Sequence, residues 1–146
     1  MPKLSESAHV PAAPDEAWRT ASDLSRLGEW LTMHDGWRGE LPDELATGVE
    51  LTSVVSVKGL RNRITWTISS FRPPESLTLT GSGVGGTKVS FELSISPDGS
   101  NPAGSRVTFD ADFGGPLVIG PVGMTLKRAV RGEVRTSVRR LAALIG

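Results

Sequence analysis

A chain of 146 residues with no Cys, no Tyr and only two His offers few places for chemistry. Thiol nucleophiles, a tyrosine acid and a three-histidine metal site are excluded. Serines are plentiful, but none stands in a GxSxG elbow. The glycine-rich run from Gly81 to Gly86 has no helix after it, so it reads as a hairpin turn and not as a phosphate loop or dinucleotide cradle. Asp110 and Asp112 share a strand face and look like an acid-base couple, yet that face lies opposite Phe109 and Phe113 and reads as water-facing. His34 and Asp35 are an imidazole and carboxylate pair by adjacency alone. Asn62, on the side of Ile64, and Lys127, inside the apolar arc of the last helix, are polar residues in unusual phase. His34 follows the second helix near the expected opening of the fold. Each reads first as a solvent-reaching residue, Lys127 by extending its amine to water. No catalytic residue, metal ligand or cofactor site is assigned.

The elements that must position these residues follow from periodicity. From Gly120 the chain reads as one long amphipathic helix, about Pro121 to Ile145. Leu126, Val130, Val134, Val138, Leu141 and Ile145 recur at spacings of 4, 4, 4, 3 and 4, one apolar arc. At the other end Lys3 to Val10 alternates as a strand, and Pro14-Asp15-Glu16 opens a helix with proline and two acids in its first turn. Asp23 or Ser25 caps a second short helix running to Trp30, and a short strand is expected around Trp37. From Val49 the period becomes two, through Val49, Leu51, Val55 and Val57, then Ile64, Trp66 and Ile68 after a Lys58-Gly59 turn. Pro73-Pro74 ends that strand. Leu77 and Leu79, then Val89, Phe91, Leu93 and Ile95, then Val107, Phe109, Ala111 and Phe113 continue the alternation, the last group after a loop over Pro97 to Ser105. Short turns between these runs predict an antiparallel meander with one apolar and one polar face.

The length fits one domain over residues 1–146, folded by core packing alone. Charged residues make up 22% and apolar residues 38%, ordinary for a soluble globule. No apolar run approaches the ~20 residues of a membrane span, and no signal-peptide core follows the N-terminus, so a cytoplasmic location is expected. Net charge is zero but uneven: residues 1–50 carry ten acids and four bases, residues 121–146 six bases and one acid. Arg128, Arg131, Arg135 and Arg139 read as the solvated face of the last helix. The sharper reading is a docking stripe for an acidic protein. Without interleaved aromatics or a nucleic-acid motif, a nucleic-acid partner is not favoured.

The opening HVPAAPDEAWRTASDLSRLGEW and the closing FGGPLVIGPVG before a basic helix resemble the START-like superfamily, also called SRPBCC or polyketide cyclase/dehydrase-like. The resemblance covers nearly the whole chain. It implies an α+β helix-grip fold, a curved antiparallel sheet of about six to seven strands around a long C-terminal helix, with two short helices after the first strand. The details are similar to an actinobacterial branch described as polyketide cyclase or as the toxin of a toxin-antitoxin pair. Fold alone argues little about chemistry.

What the fold implies is a hydrophobic cavity between sheet and C-terminal helix. Its walls are expected from Ile64, Trp66, Ile68, Leu77, Leu79, Phe91, Leu93, Phe109 and Phe113, with Met124, Leu126, Lys127 and Val130 from the helix. Trp30, Met33 and Trp37 are expected at the mouth and Asn62 as a polar group within reach. The expected function is binding of a small hydrophobic or amphipathic molecule such as a lipid, sterol or polyketide, with no cofactor. The alternatives are a polyketide cyclase or dehydratase, working mainly by shaping a flexible chain, and a toxin whose protein partner is its antitoxin.

Overall fold

The computed structural model describes residues 3–99, 104–115 and 120–146. Seven strands form one antiparallel sheet: β1 (Lys3–Val10), β2 (His34–Arg38), β3 (Glu50–Val57), β4 (Leu60–Arg72), β5 (Ser76–Ser82), β6 (Lys88–Asp98) and β7 (Gly104–Gly114). Their spatial order is β1-β7-β6-β5-β4-β3-β2, so the meander crosses the sheet in chain order and β1 returns to pair with β7. The β3–β4 hairpin closes through Lys58 at φ 52° and Gly59 at φ 79°. Two successive positive φ values match the twist of the flanking strands, which is why a Lys-Gly pair suffices there. The middle of the loop expected over Pro97 to Ser105, and residues 116–119 of the segment before the last helix, lie outside the described residues.

Period-two alternation sets what each strand buries. Register places Leu51 beside Trp66, Ile68 beside Leu79, Leu79 beside Phe91 and Leu93 beside Phe109, all with buried side chains. Each such side chain contributes about 1.5–3 kcal/mol relative to exposure. The other face carries Ser, Thr and charged residues, among them Asp110 and Asp112 as expected, both half-buried.

Three helical elements cover the apolar face. The first, α1 (Pro14–Ala21), starts with Pro14 and the acids Asp15 and Glu16, and buries Ala17, Trp18 and Ala21. The second short helix is a 3₁₀ helix, Leu24–Glu29, and of the two expected caps Asp23 serves, its carboxylate accepting the Ser25 N–H at 3.1 Å. The long helix α2 (Gly120–Ile145) lies chiefly across β1 and β7. It buries Val130, Val134, Val138 and Leu141 while Arg128, Arg131, Arg135 and Arg139 stay exposed, so the expected phase holds. Among the described residues no helix is long and apolar enough to cross a membrane.

Candidate functional site

The centre of the apolar face is an aromatic cluster contributed by three strands and the residue after the 3₁₀ helix. Phe91 on β6 stands 4.9 Å from Trp66, 5.2 Å from Phe109 and 6.2 Å from Phe113, centroid to centroid. Trp30 meets Phe109 edge-on at 5.6 Å. Alternation on β4, β6 and β7 points these rings to one side, and the 3₁₀ helix delivers Trp30 from above. Offset and edge contacts of this kind satisfy the ring quadrupoles while the rings exclude water.

A small gap of about 30 Å³ remains between this cluster and the α1–3₁₀ layer. Its walls are Ala21, Leu24, Leu27, Trp30, Leu31, Leu77, Leu79, Phe91, Leu93 and Phe109. That is room for roughly one or two waters or a methyl-sized group. The lining residues are all aliphatic or aromatic, and one of them carries an unpaired polar atom. The Trp30 indole nitrogen is buried and has no hydrogen-bond partner, whereas Trp66 donates to Ser53 Oγ at 2.8 Å and Trp37 to the Leu24 carbonyl at 2.7 Å. A buried donor left unpaired costs about 1–3 kcal/mol, so Trp30 stands out against the two satisfied indoles.

Beside this gap, between the residues following the 3₁₀ helix and α2, runs an open polar groove of about 550 Å³. Gly28, Leu31, Thr32 and His34 line one side, and Ala129, Gly132, Glu133, Thr136 and Arg140 the other. The Thr32 N–H donates to Ser137 Oγ at 3.0 Å, and the Thr32 hydroxyl donates to the Glu133 carboxylate. Ser137 in turn donates to the Glu133 carbonyl at 2.7 Å. The groove half-buries His34, and this burial pushes its imidazole below the ordinary value, with Asp35 pulling the other way.

The expected site residues divide into groups. Trp30, Leu79, Phe91 and Phe109 line the gap; Trp66, Ile64, Ile68 and Met33 are buried in the same core but do not line it. Phe113 is half-buried against Phe91. Trp37 lies apart, in a surface groove with Arg38, Leu41, Glu50 and Thr65, and meets the His34 ring at a tilt of 55° with centroids 4.9 Å apart. Asn62 sits near the start of β4, where its side-chain oxygen accepts the Val84 N–H at 3.3 Å. The helix contribution differs from expectation: Val130 is buried, but Met124 is 67% exposed and Lys127 is exposed, and no wall of this gap comes from α2. The physical reason is that α2 packs directly on β1 and β7, its fully buried side chains beginning at Val130, so the space opens under α1 and the 3₁₀ helix instead. Sequence reasoning missed Leu24, Leu27 and Leu31 as walls, and Thr32, Glu133 and Ser137 as a linked set. Ser137 carried a signal, since it falls in the apolar arc seven residues after Val130. Among the described residues no group of three or more His, Asp or Glu could hold a metal ion.

Comparison with known proteins places this geometry. The family profile described as polyketide cyclase / dehydrase and lipid transport matches residues 1–146. A Mycobacterium tuberculosis protein named Toxin Rv0910 is 46% identical over 144 residues, 99% of this chain and 98% of that protein. Another from the same organism, Rv1546, is 42% identical over 146 residues, 100% of both chains. Among solved structures, TTHA0849 from Thermus thermophilus superposes with a TM-score of 0.77 at 16% identity, covering 99% of this chain and 97% of that one. The Zhui aromatase/cyclase from Streptomyces sp. R1128 does so with a TM-score of 0.76 at 13% identity, covering 99% and 93%. At these identities the two structures establish the helix-grip fold.

Proposed function

The chain belongs to the polyketide cyclase/dehydrase and lipid transport family, and from that premise we propose that it binds a small apolar or amphipathic molecule against the Trp30, Phe91 and Phe109 wall, without chemistry of its own. The observation that carries this reading is the unpaired N–H of Trp30, a residue of this otherwise apolar wall. Ligand sites are mostly apolar with a few convergent polar groups, and a ligand carbonyl or hydroxyl reaching this donor would recover its desolvation cost. A molecule larger than a methyl group enters only if the 3₁₀ helix moves away from β5 and β6. Binding is favoured over cyclisation because none of Asn62, Lys127 and His34 borders the gap. Native mass spectrometry of the protein purified from cells, with titration of tryptophan emission by fatty acids, sterols and aromatic polyketides, tests the reading. A retained ligand or a saturable emission change supports it; no retained mass and no response to any class removes it.

A second reading is favoured by the name of the 46% identical relative, a toxin. The exposed arginines of α2 are then the face that meets an acidic protein partner. Growth arrest on expression, relieved by the product of a neighbouring gene and by Arg128→Glu with Arg131→Glu, supports it. Unimpaired growth removes it.

A further inference from the structure

Leu31 belongs to two spaces at once. It lines the apolar gap and it lines the polar groove beside α2, and it is only 2% exposed. Leu31 is the residue common to both linings, on the short segment, Trp30 to Met33, between the 3₁₀ helix and β2.

The two ends of the groove differ in chemistry. Glu133, near Thr32, is engaged by the Thr32 hydroxyl. Arg140 lies seven residues further along α2, two helical turns or about 10 Å along the axis. Its guanidinium has no ion-pair or hydrogen-bond partner among the described residues, nor do the Thr136 hydroxyl and the His34 ring nitrogens. These three unengaged groups line one groove, Thr136 and Arg140 from α2 and His34 from β2. Glu133 and Arg140 are the acid and the base of its lining, and with Glu133 already engaged by Thr32 an anion gains a charge-assisted bond from Arg140 and a hydroxyl donor from Thr136.

Resting on the binding reading above, we propose that this groove seats the anionic head of an amphipathic ligand, a carboxylate or phosphate monoester, with its apolar chain passing Leu31 into the aromatic gap. Arg140 is the head-group contact, Thr136 its hydrogen-bonding neighbour and Leu31 the gate. The Thr32 bonds to Ser137 and Glu133 hold the gate segment against α2 in the closed form. The ligand class is thereby narrowed from apolar molecules in general to single-chain anionic amphiphiles.

The test is calorimetric titration with decanoate, decyl phosphate, decanol and decyltrimethylammonium below their micellar concentrations, on the wild type, Arg140→Gln and Arg139→Gln. Arg140 and Arg139 are both exposed, so both variants keep the fold, and only Arg140 lines the groove. At least one anion is expected to bind about 10-fold or more tightly than decanol, Arg140→Gln to erase that advantage without weakening decanol, and Arg139→Gln to change nothing. The tighter of decanoate and decyl phosphate identifies the head-group source. Equal binding of decanol and both anions, insensitivity to Arg140→Gln, or tightest binding of the cation overturns the head-group inference while leaving the apolar gap as a binding site. Failure of all four to bind overturns the binding reading beneath it.

Discussion

The backbone N–H of Thr32 donates to the hydroxyl of Ser137 at 3.0 Å, joining residues 105 positions apart and fixing the segment after the 3₁₀ helix onto α2. Ser137 is fully buried in the apolar stripe of the helix, where a hydroxyl is tolerated because it both accepts from Thr32 and donates to the Glu133 carbonyl. Ser137→Ala leaves the Thr32 N–H without its acceptor and is expected to destabilise by about 1–3 kcal/mol. Thr32→Val keeps that N–H bond and loses only the hydroxyl contacts, so it should cost less. Urea midpoints of the two variants check this, and a larger loss for Thr32→Val would show that the hydroxyl, not the backbone bond, holds the segment.

Val134 lies at the dry contact of α2 with the sheet, with no exposed surface. Val134→Asp places a carboxylate there without a partner and is expected to cost several kcal/mol, on the order of half or more of a typical domain's ~5–15 kcal/mol. Near-ultraviolet circular dichroism and denaturant unfolding read the loss. The same substitution at exposed Arg131 should leave the spectrum native, which separates burial from a general effect of added negative charge.

Periodicity made most of this architecture legible. Alternation in β4, β6 and β7 told which rings share a face, and the 3.6-residue stripe told which side of α2 is buried, because both are properties of residues close in sequence. Four things were not local. Gly81 read as part of a glycine turn, but it is a β5 residue, and a Cβ there would lie 2.5 Å from Ile64 and 2.7 Å from Trp66, so its absence makes room for packing on the neighbouring strand. Lys127 stands near the phase of Val134 and Val138 yet is exposed, since phase does not say how far along a helix the covering sheet extends. The link from Thr32 to Ser137 and the empty hydrogen-bonding position of Trp30 arise only once distant segments meet.

Burial lowers the His34 imidazole below its ordinary 6.5, with Asp35 opposing. The unfolded chain thus binds more protons than the folded one from about 6.5 down to the lowered folded value, and stability rises with pH across that window. Falling pH removes this contribution; above the window it is complete. Urea unfolding of the wild type and His34→Gln across about pH 5 to 8 should show a shallower loss toward acid in the variant. Superimposable pH profiles would mean that His34 titrates alike in both states.

Trp30 and Trp66 offer a matched pair in which the ring is common and the N–H is not. Trp66→Phe removes a donor from Ser53, leaving a buried hydroxyl without it, and is expected to destabilise through both lost volume and a lost hydrogen bond. Trp30→Phe also loses ring volume, but it deletes a donor that has no partner, so part of the packing cost is offset by relief of an unsatisfied group. Trp30→Phe should therefore cost measurably less than Trp66→Phe in denaturant unfolding. Ligand binding separates the roles further: a ligand whose carbonyl or hydroxyl accepts from Trp30 should lose about 5- to 10-fold in affinity with Trp30→Phe, the worth of one neutral hydrogen bond, whereas a pure hydrocarbon of similar size should not. If hydrocarbon and acceptor-bearing ligands weaken equally, the Trp30 ring contributes only shape to the wall, and its N–H plays no part in recognition.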